Sequence, residues 1–284
     1  MRVTQKHHQR GTAKLVYREV VWSSETSRRV VLLHGAGVAG VLTWGSVLPE
    51  LEGLGQAFVP DLYGAGDTSD DRGEAPFTID ELHDHVAQCL LEIGWEQFDI
   101  VGYSFGGLLA MRLAADPRFV VGQSVLIEAA LMEREDWQET LVRRRLYTQA
   151  TQPLKNQADP EHGVRAFLDL VSPDRSRHPR VERRVVARLA HRPCGLANAL
   201  EAVAELAETL DRPSLIRQQP RTLSLVGAKT PQAAHELHQR LAQTIESWSY
   251  RSIEGCDHAL PYQKPKALAT AVNRFFTSSD VLSR

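Results

Sequence analysis

A serine between two glycines stands where a strand-like run of residues meets a helix-like run. Residues 98–101 are short, mostly apolar and β-branched, whereas residues 108–115 are rich in helix formers. Ser104 is therefore predicted to lie on a sharp strand-to-helix turn, with its hydroxyl raised out of the sheet. Gly102 and Gly106 lack Cβ atoms, so this strained turn can form and neighbouring elements can approach it closely. The pattern is typical of a nucleophile elbow, although glycine and serine also fill ordinary turns.

A glycine-rich turn after a second buried strand is the expected partner of this elbow. In the predicted strand at residues 29–33, every residue after Arg29 is apolar, as a strand buried on both faces requires, and the turn follows directly. Gly35 and Gly37 permit a backbone turn that exposes the amide of Ala36. That amide could join the amide of Phe105, at the start of the nucleophile helix, in a two-donor oxyanion hole. The alternative is a glycine-rich loop without a catalytic role.

Two polar residues are expected to support these loops. His34, which begins the glycine-rich turn, is expected to orient or pack rather than to act as a base. Asp61 follows a predicted strand at residues 57–60 and opens a loop rich in glycine and short polar side chains, so we expect it to hold that loop. A helix is expected near residues 44–54.

Length and charge restrict the classes of protein to which the chain can belong. Its 284 residues, 43% of them hydrophobic, suffice for one large α/β domain with an insertion. A net charge of -2 gives no overall attraction to nucleic acid. We find neither an export signal nor an apolar run of about 18 residues that could span a membrane, and the 3 cysteines are too few for a disulfide framework. A cytoplasmic protein is expected.

Four motifs along the chain resemble those of the α/β-hydrolase fold. They lie in the order typical of that family, at residues 34–37, 61–66, 102–107 and 255–258, and together they span nearly the whole chain. The resemblance is to serine hydrolases of the carboxylesterase type with a helical cap. It implies a mostly parallel central sheet flanked by helices, a Ser–acid–His triad at the carboxyl ends of the strands, and no cofactor.

The histidine of this triad can be assigned from local patterns as well. His258 lies on a loop between a short strand, residues 249–253, and an amphipathic helix, residues 265–276. A loop allows the imidazole to reach a serine on a distant element, and the near-neutral pKa of histidine suits proton transfer. The alternative is a surface histidine.

The acid departs from the common pattern of the family. In most such hydrolases an aspartate follows the penultimate strand, here residues 222–226, but this chain has Thr230 there. Threonine cannot carry the negative charge that stabilises an imidazolium. Glu236 lies inside a predicted helix, and Asp257 adjoins the histidine and is expected to point elsewhere. Neither is a good substitute.

Glu128 is the better assignment for the acid. It ends a buried strand, residues 123–127, that follows the nucleophile helix, 24 residues after Ser104. Some members of the family, including certain haloalkane dehalogenases and lipases, take their acid from the end of this strand. The alternative is that Glu128 only anchors the hinge of the cap.

The middle of the chain is predicted to be a helical cap. Residues 130–210 show amphipathic helical patterns without strand signals, so the core is assigned to residues 1–129 and 211–284. Between residues 131 and 196, thirteen Lys and Arg stand against nine Asp and Glu. Anionic substrates are therefore conceivable, but solvated helix faces more often explain such arginines.

No metal site is predicted. Only Glu236 and Leu237 separate His235 from His238, so these residues do not form the zinc motif H-E-x-x-H. His83 and His85 fall on different faces of a predicted helix and are expected on its solvated surface.

Three functions are compatible with these residues. The first is hydrolysis of a carboxylic ester, lactone or thioester of a small-molecule acyl substrate through an acyl-enzyme on Ser104. The second is hydrolysis of a carbon–carbon bond, suggested by the glycine-rich loop at residues 34–40 but opposed by Tyr103, since those enzymes usually have asparagine before the nucleophile. The third is a non-catalytic receptor, which Thr230 would favour only if Glu128 failed to reach His258.

Overall fold

The computed structural model describes residues 1–22, 26–156 and 159–278. The strands in these ranges are β1 (Arg2–Arg10), β2 (Ala13–Val21), β3 (Arg29–Leu33), β4 (Gln56–Pro60), β5 (Ser69–Asp70), β6 (Gln97–Tyr103), β7 (Val120–Ile127), β8 (Arg221–Gly227) and β9 (Trp248–Ile253). The helices are α1 (Gly40–Trp44), α2 (Ile79–Glu92), α3 (Phe105–Ala114), α4 (Trp137–Lys155), α5 (Pro160–Val171), α6 (Pro179–Leu189), α7 (Pro193–Ala207), α8 (Arg212–Arg217), α9 (Gln232–Thr244), α10 (Leu260–Gln263) and α11 (Pro265–Thr277). No helix among the described residues is both long enough and apolar enough to cross a membrane.

The strands form one mixed sheet. Their order is β1-β2-β4-β3-β6-β7-β8-β9, and β5 pairs with β2. From β4 to β9 in this order the strands are parallel, whereas β1, β2 and β5 make antiparallel pairs. The predicted fold class, a mostly parallel central sheet flanked by helices, is thereby confirmed. The carboxyl ends of β6, β7 and β8 lie side by side at one edge of the sheet, where loops from distant parts of the chain can meet.

Both faces of the sheet are covered, which explains the continuous apolar run in β3. Val31 and Leu33 pack into a hydrophobic cluster that contains residues of α2 and α3. Val30 and Leu32 point to the opposite face and pack into a second cluster with residues of α11. Because successive side chains of a strand point to opposite faces, a strand buried on both sides needs apolar residues at every position.

Helices α4, α5, α6 and α7 lie between β7 and β8 in the chain. They share a third hydrophobic cluster, which includes Tyr147, Phe167, Leu189 and Leu200 and also Val38 from the loop after β3. Through this cluster the helices pack over the edge of the sheet that carries Ser104. Treating residues 130–210 as a cap separate from the core stays our interpretation of this arrangement.

The prediction of a helix near residues 44–54 is wrong. The chain instead forms the short helix α1, which ends at Trp44, and a 3-10 helix at Leu48–Glu50. The physical reason is Pro49, whose nitrogen carries no hydrogen to donate to the preceding turn, so a continuous α-helix across it would lose a hydrogen bond.

The prediction that His83 and His85 lie on a solvated helix surface is also wrong, because both side chains are buried. Nδ1 of His85 lies 2.5 Å from the hydroxyl oxygen of Tyr63, and its Nε2 lies 3.3 Å from the carbonyl oxygen of His8 on β1. Nε2 of His83 lies 3.2 Å from a carboxylate oxygen of Asp116. Strand β1 thus packs against α2, a contact that the periodicity of the helix cannot reveal.

A buried carboxylate joins the two loops that approach the nucleophile. Asp61 is 0% exposed and accepts hydrogen bonds from the amide of Gly40 at 2.8 Å and the amide of Asp67 at 3.0 Å. The guanidinium of Arg18 on β2 lies 2.6 Å from the same carboxylate. Asp61 therefore holds its own loop, as expected, and ties it to the start of α1.

We predict that Asp61→Ala destabilises the protein far more than Asp67→Ala does. The first change leaves the guanidinium of Arg18 buried without its main partner and should lower the free energy of unfolding by about 3 kcal/mol. Asp67 also contacts Arg18, at 2.9 Å, but its side chain is 58% exposed, so its loss should cost about 1 kcal/mol or less. Urea unfolding followed by circular dichroism measures both values, and equal losses would contradict this account.

Candidate active site

Ser104 occupies the junction of β6 and α3 in a strained backbone conformation. Its φ of 51° and ψ of −115° lie outside the regions that residues with a side chain usually adopt. The turn is held by neighbouring main-chain groups: the amide of Ser104 donates to Ile127 at 2.9 Å, and its carbonyl accepts from the amide of Ala130 at 2.9 Å. The hydroxyl is thus presented at the carboxyl edge of the sheet.

Gly102 and Gly106 allow this turn because their surroundings have no room for a side chain. A Cβ atom on Gly102 would lie 2.4 Å from the carbonyl oxygen of Gly106, and one on Gly106 would lie 2.5 Å from the carbonyl oxygen of His34. Such distances are shorter than real Cβ contacts. The glycines therefore let α3 pack directly against β6 and the loop after β3.

His258 lies on the loop after β9, with its two ring nitrogens facing two different predicted site residues. Nε2 is 3.1 Å from the hydroxyl oxygen of Ser104, and Nδ1 is 3.3 Å from Oε2 of Glu128. The structure thus brings the predicted nucleophile, base and acid into one continuous row of contacts. The ring also packs near the ring of Tyr103, with 5.4 Å between the ring centroids and an angle of 41° between the ring planes.

Glu128 directly follows β7 and is almost completely buried. Its backbone φ is 50°, the second strained non-glycine residue at this edge of the sheet. Its Oε1 accepts hydrogen bonds from the amide of Gly227 and the hydroxyl of Thr230, both at 2.7 Å. Burial by itself raises the pKa of this carboxyl, but the contacts with His258, Gly227 and Thr230 outweigh burial and hold the pKa below its usual value.

Thr230 has a role that sequence analysis missed. It stands where most such hydrolases carry the acid, and here its hydroxyl donates to the carboxylate of Glu128. Threonine at this position and Glu128 at the end of β7 are therefore two parts of one arrangement. The absence of a charge at position 230 was the only sequence signal, and it did not predict this hydrogen bond.

The two other acids considered from the sequence do not contact His258. The carboxylate of Asp257 accepts hydrogen bonds from the amide of Ala259 at 2.8 Å and the side-chain amide of Gln263 at 3.0 Å, so it shapes the loop that carries the histidine. Glu236 is exposed on α9.

The predicted oxyanion donors lie beside the nucleophile. Ala36, Phe105 and Ser104 line the same cavity. Among residues 1–22, 26–156 and 159–278, neither the amide of Ala36 nor that of Phe105 donates a main-chain hydrogen bond. Both amides are therefore available to an oxygen atom placed near the serine, as an oxyanion hole requires.

His34 and Gly35 support this loop. The carbonyl of His34 accepts from the amide of Gly106 at 3.0 Å, and its ring Nε2 accepts from the amide of Leu62 at 2.7 Å. The ring is 0% exposed, and this burial lowers its pKa. The neutral ring of His34 thus joins its own loop to the loop after β4, and its carbonyl holds the start of α3. Gly35 lines the cavity against Tyr103.

Two cavities meet at Ser104 and His258. The larger has a volume of about 300 Å³ and is mostly apolar, with walls from the core loops and from α5, α6 and α7. The smaller, of about 50 Å³, extends towards Glu128 and Thr230. Over the described part of the chain, no group of three or more His, Cys, Asp or Glu side chains could hold a metal ion. The geometry therefore offers a nucleophile, a base and an apolar binding space.

Comparison with known proteins identifies the family to which the chain is related. Residues 30–271 match the sequence model of the alpha/beta hydrolase family. The chain is 32% identical over 111 residues to a pyrrolizixenacetamide deacetylase from Xenorhabdus hominickii, a match that covers 39% of this chain and 41% of the relative. It is 36% identical over 88 residues to a 2-hydroxymuconate semialdehyde hydrolase from Pseudomonas sp. (strain CF600), a match that covers 30% of each. The chain thus spans less than half the length of these curated relatives.

Solved structures agree in fold. A loop variant of a haloalkane dehalogenase from Bradyrhizobium elkanii superposes with a TM-score of 0.75 over 99% of both chains, at 18% sequence identity. At this identity the likeness establishes the fold alone. Because the family model covers most of the sequence and the sheet has the corresponding architecture, this chain belongs to the alpha/beta hydrolase family.

Proposed function

We propose that the protein is a serine hydrolase that cleaves a carboxylic ester, lactone or thioester through an acyl-enzyme intermediate. The observation that carries the proposal is the unbroken row of contacts from Ser104 to His258 to Glu128, at 3.1 and 3.3 Å. A serine is a weak nucleophile until a base accepts its proton, and the base needs an oriented carboxylate to stabilise its charged form.

In the first half of the reaction, Oγ of Ser104 attacks the acyl carbon while Nε2 of His258 takes the hydroxyl proton. The electron pair of the carbonyl moves to its oxygen, where the amides of Ala36 and Phe105 donate to the developing charge. When the carbonyl re-forms, the bond to the leaving group breaks, and His258 returns the proton to the departing oxygen or sulfur.

In the second half, water replaces the serine hydroxyl as the attacking group. His258 takes a proton from the water, and the tetrahedral intermediate forms with its oxyanion at the same amides. When the intermediate collapses, the bond between the acyl carbon and Oγ breaks, His258 returns its proton to Oγ, and the acid leaves. Glu128 remains a carboxylate throughout, because its pKa lies below the usual value. Its role is to fix the tautomer of His258 and to stabilise the imidazolium.

The two alternatives have less support. The non-catalytic receptor required Glu128 to fall short of His258, but the two lie in contact. A carbon–carbon bond hydrolase is favoured by the names of two relatives, the 2-hydroxymuconate semialdehyde hydrolase and a 2-hydroxy-6-oxo-2,4-heptadienoate hydrolase from Pseudomonas putida. Against it, this chain has at position 103 a buried tyrosine beside His258 and not the asparagine typical of such enzymes.

Ser104 is expected to be the covalent nucleophile. Fluorophosphonate treatment should add one adduct to the intact mass of the wild-type protein, and Ser104→Ala should abolish it because the attacking oxygen is gone. An adduct that persists in Ser104→Ala would place the nucleophile elsewhere.

Glu128→Gln is expected to lower kcat by about 10³–10⁵-fold with little change in KM, since the acid orients and stabilises the imidazole without touching substrate. Glu236→Gln is the matched control, because Glu236 is exposed on α9 and should leave kcat unchanged. Asp257→Asn tests whether Asp257, the other acid considered from the sequence, is required for catalysis. Circular dichroism first shows that each variant is folded. Steady-state kinetics on one activated ester then decide which residue is the acid. Near-wild-type kcat in Glu128→Gln together with collapse in either other variant would refute it.

Turnover of esters but not of a dienol ketone is expected. A screen of p-nitrophenyl esters of increasing chain length, with lactones, acyl-thioesters and a dienol-ketone substrate in parallel, measures this directly. Turnover of the dienol ketone alone would favour the carbon–carbon bond hydrolase.

A further inference from the structure

The larger cavity has an unusual distribution of charge. Apart from the groups around Ser104 and His258, most of its wall is apolar, but it also includes Arg144, Arg184 and Arg188. None of the described residues that line it is an aspartate or a glutamate. A cavity with several cations and no carboxylate is suited to a negatively charged ligand.

Two of these arginines lie on one face of α6. Side chains three and four positions apart on a helix lie on the same face. Four residues of α6 with this spacing form a single stripe that lines the cavity: Val181, Arg184, Val185 and Arg188. The guanidinium carbon of Arg188 lies 5.6 Å from the ring centroid of Tyr262, another residue of the cavity wall. Such cation–π contact orients the guanidinium towards the cavity without neutralising its charge.

Neither Arg184 nor Arg188 forms an ion pair with any residue in the described ranges. Elsewhere among these helices carboxylates do pair with arginines: Glu182 on α6 itself contacts Arg175, and Glu208 contacts Arg145. The stripe of α6 that faces the cavity therefore carries two positive charges that are not paired with a carboxylate of the described residues.

Arg144 adds a buried cation nearer to the nucleophile. It is 4% exposed, lines both cavities and forms an ion pair with Glu133. Burial lowers its pKa to about 10, so it remains charged at neutral pH. Its Nε has no hydrogen-bond partner within the described part of the chain, which is uncommon for a buried donor.

We infer that the substrate carries a carboxylate, which Arg184 and Arg188 bind at the α6 wall of the larger cavity. The inference rests on the proposed function, since the cavity also holds Ser104 and its oxyanion donors. A guanidinium pairs with a carboxylate through two parallel N–H···O bonds, and two guanidinium groups one helical turn apart can share such a ligand. The apolar part of the same substrate would occupy the remaining wall.

Matched esters test the inference. On the acyl side, the mono-p-nitrophenyl ester of octanedioic acid is compared with p-nitrophenyl octanoate. On the alcohol side, the octanoyl ester of 4-hydroxybenzoic acid is compared with that of methyl 4-hydroxybenzoate. Whichever side carries the recognised group, the anionic member of one pair should show the higher kcat/KM, and this preference should fall as salt is added.

The double variant Arg184→Gln/Arg188→Gln should lower kcat/KM for the preferred anionic ester about tenfold more than for its neutral partner. Arg183→Gln is the control, because Arg183 is an exposed arginine of the same helix, as Arg184 and Arg188 are, but does not line the cavity. It should leave both esters unchanged. Equal losses for the anionic and neutral esters, or an equal effect of Arg183→Gln, would overturn the inference while leaving the serine hydrolase intact.

Calorimetric titration with octanedioate separates this inference from the proposed function. Wild-type protein should bind the dianion, and the double variant should bind it at least tenfold more weakly, whether or not any ester is turned over. If no ester is hydrolysed but binding depends on Arg184 and Arg188, the proposed function fails and the anion site stands. Equal binding by both proteins, or none by the wild type, would refute the anion site.

Discussion

The geometry of this site depends on the hydrogen bonds and the histidine contact made by one buried carboxylate. Glu128 accepts two hydrogen bonds through one oxygen, from Gly227 and Thr230, and meets His258 with the other. An ionised carboxylate in such a place is tolerated only when its oxygens are paired. Because Gly227 ends β8 and His258 follows β9, these contacts fix the end of β7 relative to both neighbouring segments. A displacement of any one of them would remove a partner of this buried charge.

Among the described residues, three non-glycine residues have a positive φ, and two of them, Ser104 and Glu128, lie where these groups leave the sheet; the third is Leu131. Ser104 and Glu128 follow Tyr103 and Ile127, which are partners in the parallel pairing of β6 and β7, so the two strained residues are neighbours. Each is held by a main-chain bond to the next strand: Ser104 donates to Ile127 at 2.9 Å and Glu128 to Leu225 at 3.0 Å. The strands thus offset the cost of two conformations that raise side chains above the sheet.

The groups proposed to react and the groups proposed to select the substrate come from different parts of the chain. The strands and their loops carry the serine, histidine, glutamate and oxyanion donors, whereas α4, α5, α6 and α7 form most of the remaining cavity wall. Packing between the helices sets the shape and charge of the cavity, so they can change without altering the loops at the sheet. The cations of α6 illustrate this division.

The sequence by itself determined the elements with strong local signals. Apolar runs predicted the parallel strands, glycine spacing singled out Ser104, and loop position singled out His258. Glu128 was assigned from its place at the end of a buried strand and from the family resemblance, and the structure brings the three residues into contact. Only the tertiary structure revealed that Thr230 donates to Glu128, that His85 is buried under β1, and that one stripe of α6 faces the cavity. Local patterns follow from the backbone geometry of a few consecutive residues. Contacts between distant segments depend on how whole elements pack, and no periodicity within one segment records them.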